Sequence, residues 1–101
     1  MPAKEPEFQL LRATEHSLTV GTASTLIVGE NPWRVWISCV VVGATRIDLC
    51  LGEAAVASEG IPLSAAGGAV VFDKSMPWRG AIYGISSVAC VLAVQEVEVW
   101  H

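Results

Sequence analysis

The side chains that ordinarily carry catalysis are present in this sequence, but not at catalytic spacings. His16 lies in a polar connection and His101 is the last residue, with no Cys-x-x-Cys, His-x-His or paired-carboxylate spacing that would assemble a metal ligand set. Serines are plentiful, yet no Gly-x-Ser-x-Gly elbow occurs, and neither histidine falls in a segment organised as a pocket. Asp48, Glu53, Asp73, Glu96 and Glu98 supply carboxylates of the kind a glycosidase pairs across a bond. Their neighbourhoods read instead as solvated strand faces and turns. Cys39, Cys50 and Cys90 form an odd set inside apolar runs, which reads as reduced thiols acting as small hydrophobes. The sequence therefore nominates no catalytic, cofactor-binding or metal-binding residue, and the expected function is non-enzymatic.

The aromatic residues offer a different chemistry. Trp33, Trp36, Trp78, Trp100 and Tyr83 could stack on sugar rings, or serve as core caps and interface anchors. Trp36 has the opposite strand parity to Val35 and Ile37, so it is the aromatic expected to be exposed. Packing is the preferred reading of the set, with carbohydrate binding as the alternative.

Two of these tryptophans belong to a repeated tripeptide, Pro32-Trp33-Arg34 and Pro77-Trp78-Arg79, and each copy opens an apolar run closing on Ile-Ser. Proline fixes its own φ and biases the residue before it, Asn31 or Met76, away from helix. Each copy thus predicts a corner that opens a strand. The tryptophan can cap the end of a core, and the arginine can lie on an aromatic face or bond a neighbouring loop carbonyl.

Strand periodicity runs along most of the remaining chain. Val35, Ile37, Cys39 and Val41 share one face of the run 34–42, and Ile47, Leu49 and Leu51 share one face of the run 46–51. Gly43-Ala44-Thr45 between them is short enough for a hairpin loop. Pairing centred on Ala44 would set Cys39 opposite Leu49 and Cys50 opposite Ser38, on opposite faces, so no disulfide is expected. The alanine-rich stretch from Leu51 to Gly60 reads as a surface connection. Ile61-Pro62-Leu63 follows as a short edge strand, because its proline cannot donate to a ladder. Gly67-Gly68 turns into a strand from Ala69 to Asp73, and further strands are expected at 81–86 and 88–100. Phe8 to Ala13, Ser17 to Val20 and Ser24 to Val28 supply two or three more.

About seven to eight short strands without a convincing helix imply an all-β fold, an antiparallel β-sandwich or jelly-roll-like barrel. Residues 1–16, with their prolines and alternating charges, are expected to form an N-terminal arm on a single domain spanning 17–101. In the last strand Val91, Ala93, Val97 and Val99 are assigned to the core, and Leu92 and Val94 to the outer face beside Glu96 and Glu98. Half of that outer face is then apolar, which marks a subunit interface, although a cover from the N-terminal segment would satisfy the same residues. The interface candidates are Trp33, Trp36, Trp78, Leu92, Val94 and Trp100.

Composition points the same way. Of 101 residues, 52% are apolar and 16% charged, against about 25% charged in an ordinary globular domain. That is more apolar surface than one small core needs, so a homo-oligomer is expected. No run approaches the roughly 18 apolar residues of a membrane span, and the N-terminal residues lack the apolar stretch of a signal peptide. The net charge of −4 is the wrong sign for a phosphate-binding surface, which argues against nucleic acid.

The order of motifs Asn31-Pro32-Trp33-Arg34, Leu51-Gly52, Gly60-Ile61-Pro62-Leu63, Gly67-Gly68, Phe72, Pro77 to Ser86 and Val97-Glu98-Val99-Trp100 resembles small β-sandwich proteins of tailed-bacteriophage structural modules. The likeness runs from about Leu18 to Trp100. The chain departs from the pattern at Trp33, at its cysteines, and where Val99 separates Glu98 from Trp100. The resemblance implies a virion component assembled in the host cytoplasm, without catalytic residues. A capsid decoration (cement) protein bridging major-capsid subunits is the first expectation; a tail or head-to-tail joining component is the alternative within that class.

Overall fold

The computed structural model describes residues 11–99, which form eight strands and no helix. In chain order these are β1 (Leu11–Val20), β2 (Thr25–Val28), β3 (Arg34–Val41), β4 (Ile47–Leu51), β5 (Ile61–Leu63), β6 (Ala69–Phe72), β7 (Ile82–Ser86) and β8 (Cys90–Val99). All pairings are antiparallel, in two four-stranded sheets ordered β1-β8-β3-β6 and β2-β7-β4-β5. The pairs β1·β8, β2·β7, β3·β6 and β4·β5 nest one inside the next. This is the strand order of a jelly roll, so the expected sandwich is the observed fold.

The expected hairpin around Ala44 is not formed. β3 and β4 lie in different sheets, and Gly43-Ala44-Thr45 carries the chain from one sheet to the other. A short, turn-forming link suits a crossover between facing sheets as well as a hairpin, and Ile37, Cys39 and Val41 bury the same face in either case. The separation of the cysteines survives by another route. Cys39 and Cys90 are buried, Cys50 is half-buried, and all three are free.

Between the sheets lies one core. The first sheet contributes Val20, Ile37, Cys39, Val41, Phe72, Cys90, Leu92 and Val94, and the second Ile27, Val28, Ile47, Leu49, Leu63 and Ile82. β5 is an edge strand, as its proline requires, with Pro62 opposite Asp48. The connection 52–60 folds back over the outside of the second sheet. There Ala55 is buried, its N–H bonds Ser24 Oγ at 2.8 Å, and Ser58 N donates to Asp48 Oδ2 at 3.0 Å. Gly60 permits that path, because its φ is +81° and a Cβ there would stand 2.1 Å from the Leu49 carbonyl oxygen.

The expected arm boundary shifts. Leu11 to His16 are not part of an arm but the first half of β1, paired residue for residue with Val99 to Val94 of β8. What lies before Leu11, and Trp100 and His101, fall outside the described residues.

Candidate functional site: the paired Pro-Trp-Arg corners and an uncovered sheet face

Both Pro-Trp-Arg copies stand just before a strand, the first leading into β3 and the second into β7. The jelly-roll connectivity brings them to the same end of the sandwich, where they bond to each other. Asn31 N–H donates to the Arg79 carbonyl at 2.8 Å, and Arg79 Nε donates to the Arg34 carbonyl at 2.9 Å. Arg34 Nη1 reaches the carbonyls of Trp78 and Gly80 at 3.3 and 2.9 Å, and Nη2 that of Gly29 at 2.8 Å. The expected bond from arginine to loop carbonyl is therefore made by Arg34, whereas Arg79 bonds the carbonyl of the first residue of β3. Trp78 packs against the core and donates its Nε1–H to the Ala81 carbonyl at 3.1 Å. Trp33, by contrast, is 45% exposed.

Arg34 is buried because the backbone is irregular beside it. A register shift between Arg34 and Trp36 against β8 sets Arg34 opposite Glu98 and Trp36 opposite Val97. This bulge turns Arg34 inward while Ile37, three residues on, also faces the core. Val35, expected in the core, is left half-buried.

The same geometry corrects the reading of β8. Leu92 and Val94 are 0% and 2% exposed and belong to the core, so they are not interface residues. Glu96 and Glu98 share their parity and turn inward at the end of the sandwich. There Glu96 Oε2 accepts from Arg34 Nε at 2.5 Å, and Glu98 Oε2 from Asn31 Nδ2 at 3.0 Å. Grouping the residues by parity was correct; choosing which group faces water was not. Two glutamates made the inward set look solvated, and only a buried arginine on another strand makes that set tenable.

With the assignment reversed, the outside of the first sheet is more apolar than expected. Register places Leu11, Ala13, Glu15, Ser17 and Thr19 of β1 beside Val99, Val97, Gln95, Ala93 and Val91 of β8. Trp36, Ser38 and Val40 of β3 lie opposite Val97, Gln95 and Ala93, and Val71 and Ala69 of β6 complete the rows. Glu15 is the one charged side chain on that face among the described strands. Trp36, expected to be the exposed aromatic, is half-buried there beside Val97; Trp33 is the more exposed. Nothing among the described residues covers this sheet as 52–60 covers the other.

Where the apolar face meets the paired corners, Trp33, Trp36, Trp78, Phe72, Lys74 and Arg79 help to line an open cleft of about 420 Å³. A neighbouring hollow shares Val35, Trp36 and Lys74 with it and adds Leu11, Asp73, Ser75 and Val97. Asp73 is held below the usual carboxylate range, first by the Ser75 hydroxyl and then by backbone N–H groups that cap its turn. Sequence reasoning missed Lys74 and Arg79 as cleft residues, and Val91, Ala93 and Val97 as surface. The repeated tripeptide was the signal for the cleft, but the pairing of its two copies needed the topology.

No family model matches the chain, and no curated protein or solved structure matches it.

Proposed function

We propose that this chain is a non-enzymatic structural subunit of a phage virion, a capsid decoration protein that works as a homo-oligomer and bridges major-capsid subunits. The observation that carries the reading is the asymmetry of the sandwich. One sheet carries its own 52–60 connection over part of its outside, while the other presents valines, alanines and Trp36, interspersed with Ser17, Thr19, Ser38 and Gln95 and a single carboxylate, to the outside. A sheet face of that composition is matched by another protein surface rather than by water. The motif order running from Leu18 to Trp100 supports placing that partner in a virion, and the acidic balance suits an outer position better than a lumen of packed DNA. A tail or joining component would use the same face at lower copy number. The test is cryo-electron microscopy of the particle that contains the chain, with Val91→Asp and Val97→Asp variants beside wild type. High copy number with loss of both variants from the particle supports the proposal; a ring of few copies moves the chain to the tail, and full binding by both variants removes the apolar face from the argument.

A carbohydrate-binding module is the reading from another class, favoured only by exposed Trp33 in the cleft. Lys74 and Arg79 line that cleft and no carboxylate does, whereas a site for neutral sugars pairs its aromatic platform with side chains that accept hydroxyl protons.

A further inference from the structure

The geometry of the cleft points to one occupant, and we infer that the cleft seats the chain's own N-terminal segment Glu5-Pro6-Glu7-Phe8. This stands independently of whether the chain decorates a capsid.

The lining defines the chemistry. Three tryptophans give flat apolar walls, and of the three lining cations only Arg34 has a carboxylate partner, Glu96, among the described residues. Arg79 commits its Nε to the Arg34 carbonyl, while its terminal nitrogens and Lys74 have no partner among the described residues. Such a site selects an anion that also carries flat, rigid apolar groups. Extended proline-containing peptides meet that description, because the pyrrolidine ring lies against indole faces and the backbone is already extended before binding. Residues 5–8 place a proline between two glutamates and follow it with a phenylalanine. Prolyl ring and phenyl ring would answer the tryptophans, and the two carboxylates Lys74 and Arg79.

Position then selects the chain's own segment. Leu11, the first described residue, lines the hollow that shares Val35, Trp36 and Lys74 with the cleft. β1 therefore begins at the cleft's rim. From β1 to β3 is two strand spacings, about 10 Å. Phe8 is three residues and Glu5 six residues from Leu11, and six extended residues reach about 20 Å. A tether this short gives an effective concentration in the millimolar range, which favours the chain's own segment over the same segment of a second copy.

The test uses the full chain carrying Lys4→Cys, for a nitroxide label, and Cys50→Ser, which removes the half-buried thiol. In a ¹⁵N-labelled sample the indole N–H signals of Trp33, Trp36 and Trp78 should broaden, while the amide of Gly67 at the opposite end keeps its intensity. The broadening should be lost in Phe8→Ser and in the double variant Lys74→Glu/Arg79→Glu, with the dispersed amide spectrum showing that the sandwich is intact. Unbroadened indole signals in the labelled wild-type background overturn the inference, and indole shifts on adding an acidic oligosaccharide would then assign the cleft to a sugar. Broadening that appears only on mixing ¹⁵N chain without nitroxide with nitroxide-labelled ¹⁴N chain also overturns it, in favour of a second copy's segment.

Discussion

Arg34 and Glu96 form an ion pair inside the end of the sandwich, with Nε and Oε2 2.5 Å apart and side chains 1% and 19% exposed. The pair joins β3 to β8, and the rest of the same guanidinium ties both strands to the loops at Gly29, Trp78 and Gly80. One side chain thus holds together segments 44, 46 and 62 residues apart in the chain. Removing it leaves a partly buried carboxylate without its cation. Arg34→Met is expected to cost about 3–5 kcal/mol, as when one partner of a buried pair is deleted. Glu96→Gln keeps an acceptor and should cost less, about 1–3 kcal/mol. The double variant Arg34→Met/Glu96→Leu should recover part of the loss but not all, because three loop carbonyls still lack their donor. Urea unfolding followed by tryptophan fluorescence measures all three, and full recovery in the double variant would reduce Arg34 to a partner of Glu96 alone.

The reversed faces of β8 make a paired expectation. Leu92 is wholly buried and Val91 beside it is 38% exposed, so neighbours in sequence should fail in different assays. Leu92→Ala is expected to lose about 2–5 kcal/mol of folding stability through the cavity it leaves. Val91→Asp should change stability by no more than about 0.5 kcal/mol and yet weaken assembly. Thermal unfolding and sedimentation of the two variants check this, and an unstable Val91→Asp beside a stable Leu92→Ala would restore the opposite face assignment.

How much of this was legible follows from what a strand's period can encode. Alternation located the strands, and Pro62 correctly demoted β5 to an edge, because a missing N–H is a local fact. Alternation cannot say which of two parities faces inward when both are apolar, as at Val91 to Val94. The decision rested on Glu96, whose partner Arg34 is 62 residues away and faces inward only because of a bulge invisible in the residue types. The short link at Gly43 was equally silent, since a tight turn can join neighbours in one sheet or cross between two. The doubled Pro-Trp-Arg was visible from the start. That its copies would bond each other required the nested order of strands.

The cysteines separate by environment. Burial pushes the Cys39 thiol up from 9.0 to about 11, against a smaller opposing pull from Arg34. At pH 8 only about a thousandth of Cys39 is thiolate, the form that reacts, and it is closed off in the core besides. In the folded chain a small alkylating reagent should therefore modify Cys50 and spare Cys39 and Cys90; in denaturant without reductant it should modify all three. The raised value also has a sign for stability. The folded state holds its proton more tightly, so this contribution is complete below pH 9 and is lost as pH rises towards 11, amounting to about 2–3 kcal/mol. Cys39→Val should flatten that alkaline decline relative to wild type. Mass spectrometry after timed alkylation, with urea midpoints at pH 8 and pH 10.5, tests both halves.

The floor of the cleft depends on a close approach at Gly80. A Cβ there would lie 2.7 Å from Trp78 Cζ2, well inside contact distance. The ring has little room to yield, because its Nε1–H is bonded to the Ala81 carbonyl and the Cα of Gly52 backs it, where a Cβ would also sit 3.4 Å from Cζ2. Gly80→Ala should therefore displace the indole, break the bond to Ala81, and shift the Gly80 carbonyl that accepts from Arg34. Overpacking of this kind costs about 1–3 kcal/mol. Gly29 provides a matched control in the same group of loops, since it too accepts from Arg34 but a Cβ there meets nothing within 4 Å. Gly29→Ala should leave the urea midpoint and the Trp78 indole N–H resonance where they are, while Gly80→Ala moves both. If the Gly80 variant keeps the wild-type indole resonance and stability, Trp78 is free to swing, and the paired corners are a looser structure than their hydrogen bonds describe.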